Sequence, residues 1–301
     1  MERIKKASCD SVYDRHEQYV YDKDHRVLES QKDALRSYDG RTQEYSTLRP
    51  TTRLTYNAFG EVITQQVKLS RTDWSATYHY YNGDGLKTAS VDAEGYLTTY
   101  AYNGLGLLEE EIQYATRAKA WNEETYTLPA ATSNDRTVTF RYDARGLLTR
   151  KTLKQVAYQR LSGSGSAYTT TIGDLSSDYG YDALGHLVST TDALGHTAYS
   201  YYDASGQLTA KVGVMTPSGR SATTYRYDAL GQLVETHQWA SGASAADAQR
   251  YALKGASAQD IVTREVYDVD GHLLEQVDGL GHATYYSYDA NGNLARSWQV
   301  L

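Results

Sequence analysis

Four histidines in this 301-residue chain occupy the same position relative to a glycine, and histidine is a common ligand of zinc. Each directly follows the Gly of an Asp-x-x-Gly segment; they are His186, His196, His272 and His282. Stacking of neighbouring segments would align the imidazoles as a metal-binding ladder, if adjacent segments converge to ligand distance. Other copies carry Gln207, Gln232 or Asn293 at this position, which favours a variable exposed position. We therefore expect no metal and no cofactor.

Two segments superficially resemble calcium-binding loops. They are Asp268-Val269-Asp270-Gly271 and Asn82-Gly83-Asp84-Gly85. A calcium loop with Gly271 in sixth place would begin at Val266 and end at Val277, where both key carboxylates would be missing. A turn explains these residues without a metal.

The remaining candidates for catalysis are two runs of glutamate, Glu109-Glu110-Glu111 and Glu123-Glu124. Paired carboxylates can hydrolyse glycosides, but consecutive strand residues point to opposite faces. Cys9 has no catalytic neighbours, and the chain has no nucleophile elbow, phosphate loop, His-Glu-x-x-His or dinucleotide fingerprint. We predict that there are no catalytic residues and that the chain is not an enzyme.

Tyrosine is unusually abundant, with 29 residues against 2 Phe and 4 Trp. Rows of tyrosine rings could stack on sugars, and the candidate positions are Tyr78, Tyr100, Tyr179, Tyr199, Tyr225 and Tyr286. Tyr179 and Tyr225 are the two that we single out as possible glycan-binding residues. The favoured alternative is that each ring packs against a tyrosine of the next strand.

A recurrent turn explains the spacing of these residues. An alternating strand such as Thr223–Tyr227 leads into Asp, whose carboxylate can accept backbone N–H groups two residues on. Gly follows three residues later, where a left-handed backbone is needed, and Leu or Val returns to the buried face two residues after it. The predicted turn residues are Tyr142, Asp143, Gly146, Tyr181, Asp182, Gly185, Asp192, Gly195, Tyr202, Asp203, Gly206, Tyr227, Asp228, Gly231, Tyr267, Asp268, Gly271, Asp278, Gly281, Tyr288, Asp289 and Gly292.

The turn recurs as a tandem repeat. Tyr-Asp or Tyr-Asn pairs start at Tyr21, Tyr56, Tyr81, Tyr102, Tyr142, Tyr181, Tyr202, Tyr227, Tyr267 and Tyr288. Three successive gaps equal 21 residues, and each contains a second Asp-x-x-Gly 11 residues after the Tyr. The sequence thus predicts an all-β fold of tandem antiparallel hairpins with two turns per unit.

The array is uneven along the chain. Residues 1–55 read as degenerate copies, because His25 and Arg36 stand where Gly is expected. Residues 56–301 read as the regular array, with insertions near 115–134, 159–175 and 240–260. We expect a loop with one helical turn in the first, a flexible Ser/Gly-rich segment at 161–167 and a helix over Ser244–Leu253.

The composition argues against several classes of protein and of binding partner. A net charge of -7 without a basic stripe argues against nucleic acid, and no apolar run is long enough to span a membrane. One cysteine excludes an internal disulfide framework, and Met1–Lys6 is not followed by the apolar stretch of a signal peptide.

The motif run Tyr181-Asp182-Ala183-Leu184-Gly185-His186, with its copies at Asp192 and Tyr202, resembles the YD repeat of Rhs proteins, of the BC component of insecticidal Tc toxins and of teneurins. The resemblance covers residues 56–295 well and 12–55 loosely. It implies a curved, spiralling sheet of hairpins that forms part of a hollow shell around a C-terminal toxin.

Members of that family end the repeats in an Asp-Pro-containing protease motif, which this chain lacks. We therefore expect a segment of shell wall without protease or toxin, whose partners are the rest of the Rhs or Tc polypeptide and its toxin cargo. The resemblance also implies that the protein is secreted, or carried at the bacterial cell surface, by a specialised route. The alternative is a cell-surface carbohydrate-binding or adhesion repeat protein.

Overall fold

In the computed structural model, residues 2–5, 15–39, 44–70, 72–161 and 168–300 are described, and among these every regular element is a β-strand. The strands are β1 Glu2–Lys5, β2 Arg15–Tyr21, β3 Val27–Lys32, β4 Leu35–Asp39, β5 Glu44–Leu48, β6 Thr51–Tyr56, β7 Val62–Lys68, β8 Trp74–Tyr81, β9 Lys87–Val91, β10 Tyr96–Tyr102, β11 Leu108–Arg117 and β12 Arg136–Tyr142. They continue as β13 Leu148–Leu161, β14 Tyr168–Tyr181, β15 Leu187–Thr191, β16 Thr197–Tyr202, β17 Leu208–Val212, β18 Arg220–Tyr227, β19 Leu233–Ala246, β20 Tyr251–Leu253, β21 Ile261–Tyr267, β22 Leu273–Val277, β23 Ala283–Tyr288 and β24 Leu294–Val300. The all-β prediction is confirmed.

Neighbouring strands pair antiparallel in chain order. β14 pairs with β15, β15 with β16, β16 with β17 and β17 with β18. The same succession runs from β6 to β12 and from β21 to β24. The short pair β4 and β5 forms a separate two-stranded sheet. The repeated hairpins of the sequence are therefore hairpins in the structure.

The Tyr-Asp turns share one hydrogen-bond pattern. At Asp182, the backbone N–H donates to the His186 carbonyl at 3.0 Å, and the Gly185 N–H donates to the Asp182 carbonyl at 3.2 Å. The Asp182 Oδ1 atom accepts the N–H groups of residues 184 and 186. Gly185 has a φ of 92°, and the register shifts by one residue between Gly180 and Tyr181. This is a type I turn closed by a glycine bulge.

The described chain divides into two compact units. Unit 1 consists of Met1–Phe140 and Leu153–Asp174, and unit 2 of Arg141–Thr152 and Leu175–Leu301. The buried cluster of unit 1 contains Tyr80, Ala89, Val91 and Leu97. That of unit 2 contains Tyr201, Ala210, Val212, Ala222 and Ala243. Three of the five buried residues in the unit 2 cluster are alanine, which lets a covering segment approach the sheet closely there.

The predicted helix over Ser244–Leu253 is wrong. Residues 244–246 lie in β19, residues 251–253 lie in β20 and residues 247–250 connect the two strands, with Ala243 paired with Leu253 and Ala246 with Tyr251. Alanine favours helices, but Ala243 is fully buried against the apolar cluster of unit 2. Burial and cross-strand pairing therefore override the local preference.

The first insertion lacks the helical turn that the sequence predicted. Residues 118–134 form an irregular loop with an isolated bridge between Trp121 and Tyr126 and no helical turn. The region 159–175 consists largely of the ends of β13 and β14. Of the predicted flexible segment at 161–167, residues 162–167 lie outside the described residues.

The N-terminal part keeps one of its two irregular turns. His25 replaces Gly with a left-handed φ of 61°, and the bonds between Asp22 and Arg26 still close the hairpin. The Arg26 guanidinium donates to the Asp22 carboxylate at 2.7 Å. Asp33, in contrast, starts no hairpin turn, and its carboxylate accepts the His16 backbone N–H.

Gly195→Ala tests the left-handed position without a steric clash. Gly195 has a φ of 83°, and beyond its chain neighbours no atom lies within 4 Å of the point that an alanine Cβ would occupy. We expect about 1–2 kcal/mol lower free energy of unfolding in urea, because a Cβ strains this backbone. Gly104→Ala is the matched control, since Gly104 also has open space and no left-handed φ. Equal effects of the two substitutions would contradict the assignment.

Candidate functional site: the tyrosine seam, the flaps and the grooves

The tyrosines of seven Tyr-Asp or Tyr-Asn pairs each link their hairpin to a preceding one. The hydroxyl donates to a backbone carbonyl just after the preceding Tyr-Asp or Tyr-Asn turn. The acceptor is the residue two positions after the Gly of that turn, or after His25 in the first turn. These bonds, here called the tyrosine seam, are Tyr56 to Val27, Tyr81 to Val62, Tyr102 to Lys87, Tyr181 to Leu148, Tyr202 to Leu187, Tyr227 to Leu208 and Tyr288 to Leu273, with lengths of 2.8–3.2 Å.

The seam provides a hydrogen-bond donor for backbone carbonyls that lie beyond the last registered pair of two neighbouring strands. Between β15 and β16 the registered pairs end at Ser189 and Tyr199, two residues beyond Leu187 along the strand. Tyr202 then reaches back to the Leu187 carbonyl at 3.2 Å. The same geometry recurs between β22 and β23. A carbonyl without a partner in a half-buried position is costly, so each hydroxyl stabilises the junction of two hairpins.

Tyr267 departs from the seam. Its hydroxyl donates to the Glu265 carboxylate at 2.9 Å. Burial, together with Glu265, raises the pKa of Tyr267 to about 12. The carboxylate therefore replaces a backbone carbonyl as the acceptor at this junction.

The four histidines bind within their own turns. Each Nδ1 atom lies 2.8–3.1 Å from the carboxylate of the Asp four residues earlier; the pairs are Asp182 and His186, Asp192 and His196, Asp268 and His272, and Asp278 and His282. The His186 ring also stacks on Tyr202, and the His272 ring on Tyr288. His186 and His272 therefore each connect their own turn to a seam tyrosine.

Asp268, Asp270 and His272 offer ligand atoms within 4.8 Å of one another. The Asp268 Oδ1 atom already accepts two backbone N–H groups, and Oδ2 contacts His272. The turn therefore accounts for the arrangement of these three side chains.

Two insertions fold over the buried clusters. Flap 1 comprises residues 115–135 and flap 2 residues 240–260. In flap 1, the carbonyls of Asn122 and Thr125 accept the Tyr80 hydroxyl at 2.7 and 3.2 Å. In flap 2, the carbonyls of Asp247 and Arg250 accept the Tyr201 hydroxyl at 2.7 and 2.9 Å. A buried tyrosine thus clamps the tip of each flap.

The environment of both clamps is alike. Burial raises the pKa of Tyr80 and of Tyr201 to about 12, so both hydroxyls remain protonated donors in neutral solution. The Tyr80 ring lies 4.6 Å from Tyr126, and the Tyr201 ring lies 4.6 Å from Tyr251.

An aspartate closes the base of each flap. The Asp135 carboxylate accepts the N–H groups of Ala115 and Thr132 at 2.9 and 2.8 Å. The Asp260 carboxylate accepts those of Ala240 and Ser257 at 2.8 and 3.0 Å. Each residue at the base of flap 1 has its counterpart in flap 2 125 positions later in the sequence, and the two clamping tyrosines are 121 positions apart. The chain therefore contains two copies of a longer repeat of four Tyr-Asp or Tyr-Asn units, and each copy contains one flap.

Each flap tip and the neighbouring turns enclose a groove. Groove 1, in unit 1, has a volume of about 360 Å³ and is lined in part by Asn57, Phe59, His79, Tyr81, Glu123 and Glu124. Groove 2, in unit 2, has a volume of about 410 Å³ and is lined in part by Asp182, Ser200, Tyr202, Ala248, Gln249 and Arg250. The internal repeat places the two grooves at equivalent positions.

Tyr179 and Tyr225 lie half-buried within strands, paired with Thr190 and Thr236. Neither lines groove 1 or groove 2. Of the glutamate runs, Glu109 to Glu111 lie on β11, and Glu123 accepts a hydrogen bond from the buried Thr64 hydroxyl at 3.3 Å. Within the described residues, the structure does not bring the two runs together into a cluster of possible metal ligands.

Residues 181–214, 202–243 and 267–297 match the family described as RHS Repeat. This chain carries RHS repeats. The match confirms the resemblance that the Tyr-Asp turns indicated. No curated protein matches the RHS-repeat chain in sequence.

The RHS-repeat chain also resembles solved structures. It is 15% identical to a chain of the Photorhabdus luminescens Tc holotoxin pore, with a TM-score of 0.40 and coverage of 96% of this chain and 18% of that one. It is 15% identical to a chain of the TcdB2-TccC3 structure, with a TM-score of 0.30 and coverage of 96% of this chain and 19% of that one. It is 12% identical to a porin-like protein from Bacteroides uniformis, with a TM-score of 0.25 and coverage of 99% of this chain and 92% of that one. The fold assignment depends on the hairpins and the repeat motif themselves. Among the described residues, no helix meets the length and hydrophobicity needed to cross a bilayer.

The turn carboxylates make stability depend on pH. Hydrogen bonds from backbone N–H groups lower the pKa of Asp268, Asp278 and Asp289 below the ordinary 3.8. The unfolded chain therefore takes up protons first, so this stabilisation is present above pH 3.8 and is lost as the pH falls through the lowered values. We expect urea midpoints of the intact chain to fall below about pH 4.

The triple variant Asp268→Asn, Asp278→Asn, Asp289→Asn provides the comparison. Asn103 makes the same turn bonds without titrating, so Asn keeps the turn. The urea midpoint of the variant is expected to depend less on pH between about 4 and 2. Identical pH profiles would show that these carboxylates contribute nothing to acid unfolding.

Proposed function

We propose that this chain is part of the wall of a hollow RHS-type shell that encloses a toxic polypeptide until delivery. The observation that supports this most is the tyrosine seam, which joins successive RHS hairpins by the same bond at seven junctions. A single hairpin does not offset the roughly 1–2 kcal/mol per residue needed to order its backbone. Regular seams instead allow many hairpins to stabilise one another as a wall.

The wall would act by sequestration. A continuous ladder of hydrogen-bonded strands leaves few routes for a protease or a folded partner to reach an enclosed chain. The partners would be the remainder of the Rhs or Tc polypeptide and its cargo. β24 is exposed at every residue, and a further hairpin of the same type could cover it. Export to the outside of a bacterial cell follows from this role.

The proposed role is non-enzymatic. The His237 imidazole contacts the Asp260 carboxylate at 3.0 Å, a pairing also found in catalytic triads. Asp260, however, holds the base of flap 2, and the His237 ring stacks on Trp239 at 3.9 Å. These contacts give the pair a structural role. The alternative of carbohydrate binding gains no support from the positions of Tyr179 and Tyr225.

Electron microscopy of the full-length native gene product tests the proposal. We expect a closed shell that includes residues 15–300 as wall hairpins and contains density for an enclosed segment. Protease treatment should leave that segment intact in the native product and degrade it once denaturant opens the wall. An open filament, or an equally rapid loss of the segment before and after denaturant, would contradict the proposal.

A further inference from the structure

The residue directly after a Tyr-Asp or Tyr-Asn turn lies against the glycine of the next such turn. In eight cases its side chain is 2.7–3.8 Å from the point that an alanine Cβ would occupy at that glycine. These pairs, here called the glycine contacts, are Arg26 with Gly60, Glu61 with Gly85, Leu86 with Gly106, Leu147 with Gly185, His186 with Gly206, Gln207 with Gly231, Gln232 with Gly271 and His272 with Gly292. Five residue types thus make the same contact.

His186 is held in its contact from three sides. Its Nδ1 atom lies 2.8 Å from the Asp182 carboxylate, and its ring stacks on Tyr202 with centroids 4.7 Å apart. Its Nε2 atom lies 2.9 Å from the point that a Cβ at Gly206 would occupy. This separation is shorter than a van der Waals contact, and the ring cannot move away without loss of the other two contacts. Glycine therefore leaves the room that the ring needs.

The same geometry recurs three turns later along the chain. The His272 Nδ1 atom lies 3.0 Å from the Asp268 carboxylate, and the ring stacks on Tyr288 at 4.6 Å. Its Nε2 atom lies 2.9 Å from the Cβ position of Gly292. The contact is thus a feature of the repeat and not of one hairpin.

The Asp-x-x-Gly turns at the other end of the strands lack this contact. Gly195 and Gly281 also have a left-handed φ, but beyond their chain neighbours no atom lies within 4 Å of their Cβ positions. Gly95 faces Trp121 of flap 1 and not the residue after a preceding turn. Among the described residues, the glycine contacts are therefore confined to the end at which the Tyr-Asp and Tyr-Asn turns lie.

The two ends of the strands also differ in the length of their connections. After the Tyr of each of the ten Tyr-Asp or Tyr-Asn pairs, the next strand begins six positions later, as at Tyr202 and Leu208. Connections at the opposite end range from residues 92–95 to the two flaps and the β4–β5 hairpin. All the insertions in the described part of the chain therefore lie at the end without glycine contacts.

We propose that the residue after each turn glycine is a positioning residue that holds successive Tyr-Asp turns together and keeps their end of the strands free of insertions. Its side chain fills the space that the missing Cβ leaves, and a longer connection would move the glycine out of reach. Additions such as the flaps are accepted at the opposite end, where no such contact is lost. The inference needs only the folded array and does not depend on the wall role.

A double-mutant cycle followed by urea unfolding of the whole chain tests the contact. Gly206 and Gly195 have nearly the same φ, 80° and 83°, but only Gly206 faces a side chain of the preceding turn. Gly206→Ala should lower the urea midpoint roughly twice as far as Gly195→Ala, because overpacking adds to backbone strain. In a His186→Ala background, Gly206→Ala should lower it no further than Gly195→Ala does.

His196→Ala is the matched control, because His196 contacts its own turn aspartate at 3.1 Å and does not face Gly206. Its effect should add to that of Gly206→Ala. Equal shifts for Gly206→Ala and Gly195→Ala, or additive effects of His186→Ala and Gly206→Ala, would overturn the proposal. If Gly206→Ala alone does not fold, His186→Ala must restore an unfolding transition, and failure to do so counts against the contact.

An insertion experiment tests the difference between the two ends. Gly-Ser-Gly-Ser is added either after Ala204 or after Ala193, at the same position of the two kinds of turn. Each insertion breaks the same pair of bonds from backbone N–H groups to the turn aspartate, so the remaining difference is the glycine contact. We expect the lower urea midpoint for the insertion after Ala204. Equal midpoints, or a lower one for the insertion after Ala193, would contradict the proposal.

Discussion

The hydrogen bond from a tyrosine hydroxyl to a backbone carbonyl of the preceding hairpin is the interaction on which the rest of this fold depends. The registered pairs between β15 and β16 and between β22 and β23 end two residues short of Leu187 and Leu273, and the tyrosine hydroxyls reach these two carbonyls. Phenylalanine could fill the same space but could not donate a hydrogen bond. The requirement for a hydroxyl explains why tyrosine, and not phenylalanine, stands at these seven positions of a chain with 29 Tyr and 2 Phe.

The two flaps show how the same array tolerates additions. Each insertion returns to the sheet because an aspartate closes its base and a buried tyrosine clamps its tip. These contacts fix the backbone of the flap while the outward side chains remain free to differ. The contrast between Glu124 and Gln249 arises at such a position. A repeat array can therefore change the charge of a flap without any change in its strand pairing.

Local chemistry made much of this predictable. The Asp-to-Gly turn depends on neighbours in sequence, so its residues could be placed from the sequence. The acceptors of the tyrosine hydroxyls could not, since they depend on the register of another hairpin. The helix over Ser244–Leu253 was wrong because Ala246, Tyr251 and Leu253 pack against a cluster most of whose residues are far away in sequence. Asp135 and Asp260 were missed, although their 125-residue spacing marks the longer repeat.

Replacement of single seam hydroxyls is the most direct test of the account. Tyr202→Phe and Tyr227→Phe each keep the ring and remove one donor, whereas Tyr225→Phe removes a hydroxyl outside the seam. Urea unfolding should show a loss of about 1 kcal/mol for each seam variant and a change within about 0.5 kcal/mol for Tyr225→Phe. Seam variants as stable as the unmodified chain, or no less stable than Tyr225→Phe, would contradict the claim that these bonds hold the hairpins together.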